Sequence, residues 1–211
     1  YPDDLINYNY PIFITDNNNK QNELAWKREW YSRARLSDGL YDANPEDIIL
    51  LGDADEIPSA DLFTNEGKLE ISKIIDEHKV LNLNQYVFNY DIDGLLLYPN
   101  NNVFIWNAFK ATKMKNFTSA FELRGINGAD LQPCGWQFSY FGGTDNIKNK
   151  IKSFSHTEMV KDEILNNIEP AMKNRRQFYH DFILSNSYPK SMLPKLIFTS
   201  KYIDYFQNNK K

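Results

Sequence analysis

Three acidic residues that follow a short apolar run are the part of this chain best suited to do chemistry. The run Ile48–Leu51 is followed by Gly52, which allows a close approach of the backbone, and then by the acids, which are Asp53, Asp55 and Glu56. Crowded carboxylates repel one another, and a hard divalent cation such as Mg²⁺ or Mn²⁺ relieves this repulsion by taking their oxygens as ligands. The spacing therefore predicts a cation site at Asp53 and Asp55.

The context of these acids distinguishes them from an ordinary acidic turn. An Asp-x-Asp triplet alone is weak evidence, because such turns commonly cap helices or face solvent. A second triplet at residues 91–93 is followed at once by Gly94 and is typical of a turn. The apolar run before Asp53 shows no alternation, which predicts a central strand buried on both faces. Ligands of open α/β sheets collect at the carboxyl ends of such strands.

Composition excludes several classes of protein. The chain has 211 residues, of which 42% are hydrophobic and 15% aromatic, and this fits one folded domain with a sizeable core. A formal net charge of −4 gives no basic footprint for nucleic acid. The single cysteine, Cys134, excludes an internal disulfide and thiolate-rich zinc sites.

No apolar run is long enough to span a membrane, and residues 1–20 lack the pattern of a signal peptide. The location of the protein stays open at this point. The single cysteine and the missing signal favour the cytoplasm.

Periodicity places the acids between helices. Helices are predicted at residues 23–40, 67–78, 145–154 and 157–168, the last broken by Pro170. A half-buried strand is predicted at residues 80–90, a hairpin from residues 95–98 and 103–109, and another strand ending at Gly142 and Gly143. Residues 1–20 and 121–133 are predicted to be irregular. A helix leading into the acidic strand indicates an α/β fold.

Four patches of the sequence, taken in order, resemble the family 17 glycosyltransferases, which include N-acetylglucosaminyltransferases that act on N-glycans. The first patch is Trp26 with Arg28, Glu29 and Arg33, and the second is the run from Asp53 to Pro58. The third is Phe121 with Arg124, and the fourth runs from Gly135 to Gly143 and on to Glu158. Their order and spacing agree with the family over residues 22–165.

This resemblance implies a GT-A-like fold, with a mixed central sheet flanked by helices, in a single domain of residues 1–211. Residues 1–20 would precede the family-like core of residues 22–165, and residues 166–211 would form a C-terminal extension. By this resemblance, the first βαβ unit of the family is expected to be incomplete in residues 1–211. The resemblance also implies a UDP-sugar donor, a glycan acceptor and a Mn²⁺ or Mg²⁺ ion. By analogy with the family, the Golgi lumen is a second location to consider.

Roles for individual residues follow from the resemblance together with their chemistry. Metal ligands are assigned to Asp53, Asp55 and His156, and donor or acceptor contacts to Asp53, Arg124, Trp136 and Ser139. The base that deprotonates the acceptor is sought among Glu56, Glu158, Glu122 and Asp130. Gln137 stands where the family commonly has histidine.

Each assignment has a structural alternative. Glu56 can orient its neighbours or begin a helix, His156 and Arg124 can be ordinary structural or surface residues, and Trp136 can belong to the core.

Two other functions also fit these residues. A metal-dependent phosphoesterase would use Asp53, Asp55 and His156 as ligands, although the chain has only three histidines. A non-catalytic sugar- or nucleotide-binding module would keep the acidic loop without turnover.

Overall fold

A computed structural model describes residues 20–194 of the chain, and the side chains of residues 20–24 and 190 are left out of the description. The irregular segment predicted before residue 20 and the end of the predicted C-terminal extension, residues 195–211, lie outside the described residues. The described part is a mixed α/β structure, in agreement with the predicted fold class.

Five α-helices are present in the described part. They are α1 (Lys20–Arg35), α2 (Asn65–His78), α3 (Ala120–Gly125), α4 (Gly143–Ser153) and α5 (Asp162–Lys173). Short 3₁₀ turns lie at Leu36–Leu40, Ala60–Phe63, Met114–Asn116, Thr157–Met159 and Lys190–Met192. The predicted helices near residues 23–40, 67–78 and 145–154 are therefore confirmed, with boundaries shifted by a few residues. The fourth prediction corresponds to a 3₁₀ turn followed by α5.

Ten strands of the described residues form two mixed sheets. They are β1 (Ile48–Leu51), β2 (Glu56–Pro58), β3 (Val80–Leu83), β4 (Gln85–Asn89), β5 (Leu95–Leu97), β6 (Ile105–Trp106), β7 (Lys110–Lys113), β8 (Ala129–Leu131), β9 (Gly135–Ser139) and β10 (Ile183–Ser185). The smaller sheet has the order β1-β7-β3-β8, and the larger has the order β10-β5-β4-β9-β2, with β6 also paired to β4. Only the pairs β3/β8 and β4/β9 are parallel among these.

The chain passes between the two sheets five times in the described residues, and four of these connections have only one to four residues. These four connections join β1 to β2, β3 to β4, β6 to β7 and β8 to β9. The two parallel pairs therefore continue from one sheet into the other. The acidic stretch of residues 52–55 is itself the connection from β1 to β2, which places the carboxylates at the boundary between the sheets.

Helices cover both sheets through apolar side chains. Ile71 and Ile75 of α2 pack with Leu81, Leu83 and Ala111 of the smaller sheet. On the larger sheet, the residues in one buried cluster come from α4, α5 and the strands beneath them, and include Ile147, Ile151, Ile168, Val87 and Leu96. Helices α2, α4 and α5 thus turn their apolar stripes to a sheet, as the helical periodicity of the sequence requires.

Three expectations about these elements were wrong. Residues 80–90 are two fully or largely buried strands in different sheets, because the chain bends at Asn84. Residues 121–133 are not a continuous loop, because Ser119 caps α3 by accepting a hydrogen bond from the Glu122 N–H and β8 then pairs with β3. Pro170 lies inside α5 instead of ending it.

Two further expectations were only partly correct. The predicted hairpin is present but short. Leu97 and Val103 form an antiparallel bridge, the turn is closed by a hydrogen bond from the Tyr98 N–H to the Asn102 carbonyl, and β5 and β6 then both pair with β4. The strand Ile48–Leu51 is present, but among the described residues it is an edge strand of the smaller sheet, and three of its four residues are half-buried. It is therefore not the central strand, buried on both faces, that the sequence predicted. The turn predicted at residues 91–93 is confirmed by a hydrogen bond from the Gly94 N–H to the Asp91 carbonyl.

A search of the described residues for a helix of sufficient length and apolar character to cross a membrane finds none.

The packing of α2 on the smaller sheet gives a direct test of the fold. Ile75 is fully buried, whereas Leu69 on the same helix is 68% exposed. We expect Ile75→Ala to lower the free energy of unfolding by about 2–5 kcal/mol, because it leaves a cavity in the core. Leu69→Ala is the matched control, with an expected change within about 0.5 kcal/mol. Urea denaturation measures both, and equal effects would contradict this packing.

Candidate functional site

The acidic connection is held close to the smaller sheet. A Cβ atom added to Gly52 would lie 2.8 Å from the Phe109 ring and 3.0 Å from a carboxylate oxygen of Glu56. Glycine is therefore required here for a close approach of the backbone, as the sequence predicts. A turn follows, in which the Glu56 N–H donates to the Asp53 carbonyl at 3.0 Å.

Glu56 is the hub of the site. Its side chain is fully buried, and its two carboxylate oxygens accept hydrogen bonds from four directions. The Arg124 guanidinium donates twice at 3.1 Å, the Trp106 indole N–H donates at 2.5 Å, and the Asp53 backbone N–H donates at 2.7 Å. Because both oxygens are occupied, Glu56 orients its neighbours, which is the structural alternative considered for it.

Asp53 is bound by two arginines from different helices. Arg33 of α1 lies 3.1 Å from one carboxylate oxygen, and Arg124 of α3 lies 2.9 Å from the other. Arg33 also contacts Glu29, one helical turn earlier, at 2.6 Å. Burial disfavours the charged form of Arg33, but Asp53 and Glu29 more than offset this effect and raise its pKa. These ion pairs dock both helices against the acidic connection.

Asp55 has a lysine partner instead. The Lys150 ammonium group lies 2.8 Å from a carboxylate oxygen of Asp55 and 3.0 Å from the Ser139 hydroxyl, and it sits 5.1 Å from the centre of the Tyr140 ring. Ser139 ends β9, and Lys150 comes from the last turn of α4. Asp55 therefore joins the end of a strand to a helix on the larger sheet.

These groups line one large cavity, which we call the first cavity. It has a volume of about 1080 Å³ and contains Asp53 and Asp55 together with Arg33, Arg124 and Lys150. This volume is slightly above the range of about 300–1,000 Å³ that is typical of small-molecule sites, which leaves room for a ligand of nucleotide size.

Aromatic rings form much of the wall of the first cavity. Trp26 and Trp30 on α1 have ring centres 6.3 Å apart, and Phe121 packs edge-on against Trp30 at 5.7 Å. Trp106 and Tyr140 also line the cavity. A ligand here would meet charged groups on one side and apolar rings on another.

A second cavity of about 730 Å³ adjoins the first. The two share six lining residues, which are Trp106, Gln137, Ser139, Tyr140, Phe154 and His156. His156 stands at this junction with its Nδ1 atom 2.6 Å from a carboxylate oxygen of Glu158 and its ring edge-on to Trp26 at 4.7 Å. A histidine held by a carboxylate in this way has a fixed ring orientation.

The backbone of Tyr140 explains why its ring reaches both cavities. Side chains of β9 alternate, so that Gln137 and Ser139 face the cavities while Trp136 and Phe138 pack on the opposite side. Tyr140 has a φ of 60°, which breaks this alternation. A left-handed conformation at a non-glycine residue costs roughly 1–3 kcal/mol and is found preferentially at functional sites.

Whether a divalent cation fits this site depends on the carboxylates of Asp53 and Asp55. Asp53 and Asp55 are hard ligands beside a cavity, but basic side chains already neutralise both of them. Among residues 20–194, no three His, Cys, Asp or Glu side chains gather closely enough to hold a metal ion. A cation could bind Asp53 and Asp55 only after these basic side chains were displaced from the carboxylates.

The predicted site residues divide into four groups by position. Those that line the first cavity are Asp53, Asp55, Glu122, Arg124, Ser139 and His156. Glu158 lines the second cavity, and Glu56 is buried behind the first. Trp136 and Asp130 line neither cavity. Trp136 donates its indole N–H to the Met192 carbonyl in the core, and Asp130 accepts a hydrogen bond from Asn82 on β3.

Sequence reasoning assigned no role to several residues of the site. Arg33 and Lys150 belong to the family-like patches, and their charge was the available signal, yet their partners are 20 and 95 residues away along the chain. Trp106 and Tyr140 gave no signal, because tryptophan and tyrosine in strands are usually core residues.

The comparisons with known proteins identify no relative. No protein-family model, curated protein or solved structure matches the chain.

The role of Glu56 as the hub can be tested by removing its charge. We expect Glu56→Gln to lower the free energy of unfolding by roughly 3 kcal/mol, because the largely buried Arg124 then loses the carboxylate that accepts two of its hydrogen bonds. The matched control is Glu122→Gln, an exposed residue of the same site, for which a change below about 1 kcal/mol is expected. Denaturant titration measures both. Equal stability of the Glu56 variant and the unmodified protein would contradict the assignment.

Proposed function

We propose that this protein is an inverting glycosyltransferase that moves N-acetylglucosamine from a UDP-sugar to a hydroxyl of a glycan. The observation that carries the proposal is the convergence of two strand-end aspartates, three basic side chains and several aromatic rings on one cavity of nucleotide-sugar size. A GT-A-like fold is part of the proposal, supported by the mixed sheets with flanking helices and by the acids directly after β1.

The three basic side chains are suited to the charge that develops in this reaction. When the anomeric C–O bond breaks, the bond electrons go to the departing UDP, whose diphosphate becomes more negative. Arginine forks and a lysine that lie preorganised beside the leaving group stabilise this charge. Arg33, Arg124 and Lys150 are proposed to do so in exchange for part of their present contacts with Asp53 and Asp55.

The aspartates and aromatic rings are proposed to hold the rest of the donor. Each carboxylate oxygen accepts more than one hydrogen bond, so Asp53 and Asp55 retain capacity for ribose or sugar hydroxyls. Trp26 offers an aromatic face for a sugar or base, in place of the predicted Trp136.

Binding of Mn²⁺ or Mg²⁺ stays a prediction. If such an ion is bound, it supplies Lewis-acid stabilisation of the diphosphate. In the arrangement described it has to compete with the basic side chains for Asp53 and Asp55.

The pair of His156 and Glu158 is proposed to accept the acceptor proton. The acceptor oxygen forms the new bond to the anomeric carbon, and its proton passes to a base within hydrogen-bond reach. His156 lies at the junction of the cavities, and Glu158 holds its ring. Glu122 remains a second candidate, because it is exposed and lines the first cavity.

One observation favours a second candidate function, a non-catalytic sugar- or nucleotide-binding module. Asp53, Asp55 and Glu56 are each already paired with a basic side chain, so their charges are neutralised without a ligand. A metal-dependent phosphoesterase has less support, since its proposed ligands do not form a cluster in the described part of the chain.

Binding of UDP is the first test of the proposal. We expect calorimetry to detect UDP binding and Lys150→Met to weaken it at least tenfold, because a charge-assisted contact with phosphate contributes roughly 1.5–3 kcal/mol. Lys152→Met is the matched control, since Lys152 is exposed on the same helix and does not line the cavity. Each titration is run with Mn²⁺ and with a chelator, which decides whether a cation takes part.

Turnover separates the transferase from the binding module. We expect release of UDP from UDP-N-acetylglucosamine in the presence of glycan, and a loss of this activity in Asp55→Ala. The expected decrease in kcat is about 100-fold or more, because Asp55 positions Lys150 beside the leaving group. UDP binding without turnover would identify a binding module. Absence of UDP binding both with and without Mn²⁺ would contradict the proposed function.

A further inference from the structure

The second cavity has a composition different from that of the first. Its wall is largely aromatic and includes Phe104, Tyr179 and Phe182, with ring centres of Phe104 and Phe182 4.9 Å apart. The charged residues that line it include one acid and one lysine, Glu158 and Lys161. Arg33, Arg124 and Lys150, which line the first cavity, do not line this one. Its chemistry suits an uncharged ligand with apolar faces.

Two buried amides of the second cavity have hydrogen-bonding atoms without a partner in the described structure. Asn89 is 1% exposed and its Nδ2 donor is unpaired, and Gln177 is 7% exposed and its Oε1 acceptor is unpaired. Unpaired buried polar atoms are rare because each lost hydrogen bond is costly. One donor and one acceptor together match a ligand hydroxyl, which both accepts and donates.

The position of Asn89 points to a binding site as well. Asn89 ends β4 and pairs with Ser139, the end of β9, in the parallel pair of the larger sheet. The following residues, Tyr90 and Tyr140, both have left-handed backbone conformations, with φ of 72° and 60°. The carboxyl ends of neighbouring parallel strands are the usual place for ligands in α/β sheets.

We propose that the second cavity is a subsite for a neutral sugar residue of the acceptor glycan. The sugar places its C–H face against the aromatic wall and its hydroxyls on Asn89 and Gln177. Because His156 also lines the second cavity, a sugar bound there has a hydroxyl beside the proposed base. The first cavity then holds the donor. The identification of this sugar as the acceptor rests on the proposed function, whereas the binding of a sugar in the second cavity is tested independently.

The test measures binding of uncharged methyl glycosides to the protein saturated with UDP. A panel of the glucose, mannose and N-acetylglucosamine glycosides is titrated by NMR, and we expect at least one to bind. Gln177→Leu and Phe182→Leu should each lower its affinity about tenfold, the effect of one lost hydrogen bond or ring contact. UDP affinity should stay unchanged. Melting temperatures establish that both variants are folded.

Gln132→Leu is the matched control, because Gln132 is exposed and lines neither of the two cavities. It should leave glycoside affinity as it is in the unmodified protein.

Three results would overturn the subsite: no binding of any glycoside, unchanged affinity in both folded variants, or an equal loss of UDP affinity, which would place the nucleotide in this cavity. A different result would separate the two proposals. If the unmodified protein does not bind UDP but binds a glycoside, and Gln177→Leu weakens that binding, the proposed function is refuted and the sugar site is supported.

Discussion

The salt bridge between Arg124 and Glu56, made of two hydrogen bonds, is the interaction on which the site depends. It links α3 to the first residue of β2, and its two members also hold Asp53 and Trp106. Breaking such a buried pair leaves a charge without compensation, so the surrounding side chains are fixed in relation to it. Arg33 and Lys150 extend the same pattern to α1 and α4. Pairs of opposite charge thus link α1, α3 and α4 to the acidic residues beside the cavity.

Local sequence signals predicted much of this arrangement. The apolar run before Asp53, the close approach of Gly52 and the amphipathic patterns of α2 and α4 each depend on residues near in sequence. Their physical basis is the period of a helix or strand and the steric freedom of glycine. The mixed α/β class followed from the order of these elements, and the placement of both aspartates beside a cavity followed from the strand end.

The remaining features depend on contacts between distant residues, which periodicity does not encode. The bend at Asn84 divides one apparent strand between two sheets, and Tyr140 leaves the alternation of β9 because of its left-handed backbone. The basic partners of the aspartates were likewise not foreseeable, since Lys150 is 95 residues from Asp55. Trp136 lies away from the first cavity for the same reason, since its half-buried indole packs beside a buried apolar cluster and donates to the Met192 carbonyl.

The acids lie on one of the four short connections between the sheets, and this has a mechanical consequence. A segment of four residues that is anchored to a strand at each end has little slack. Asp53 is paired with Arg33 and Arg124, and Asp55 is paired with Lys150. A displacement of one sheet relative to the other would therefore be transmitted directly to these ion pairs.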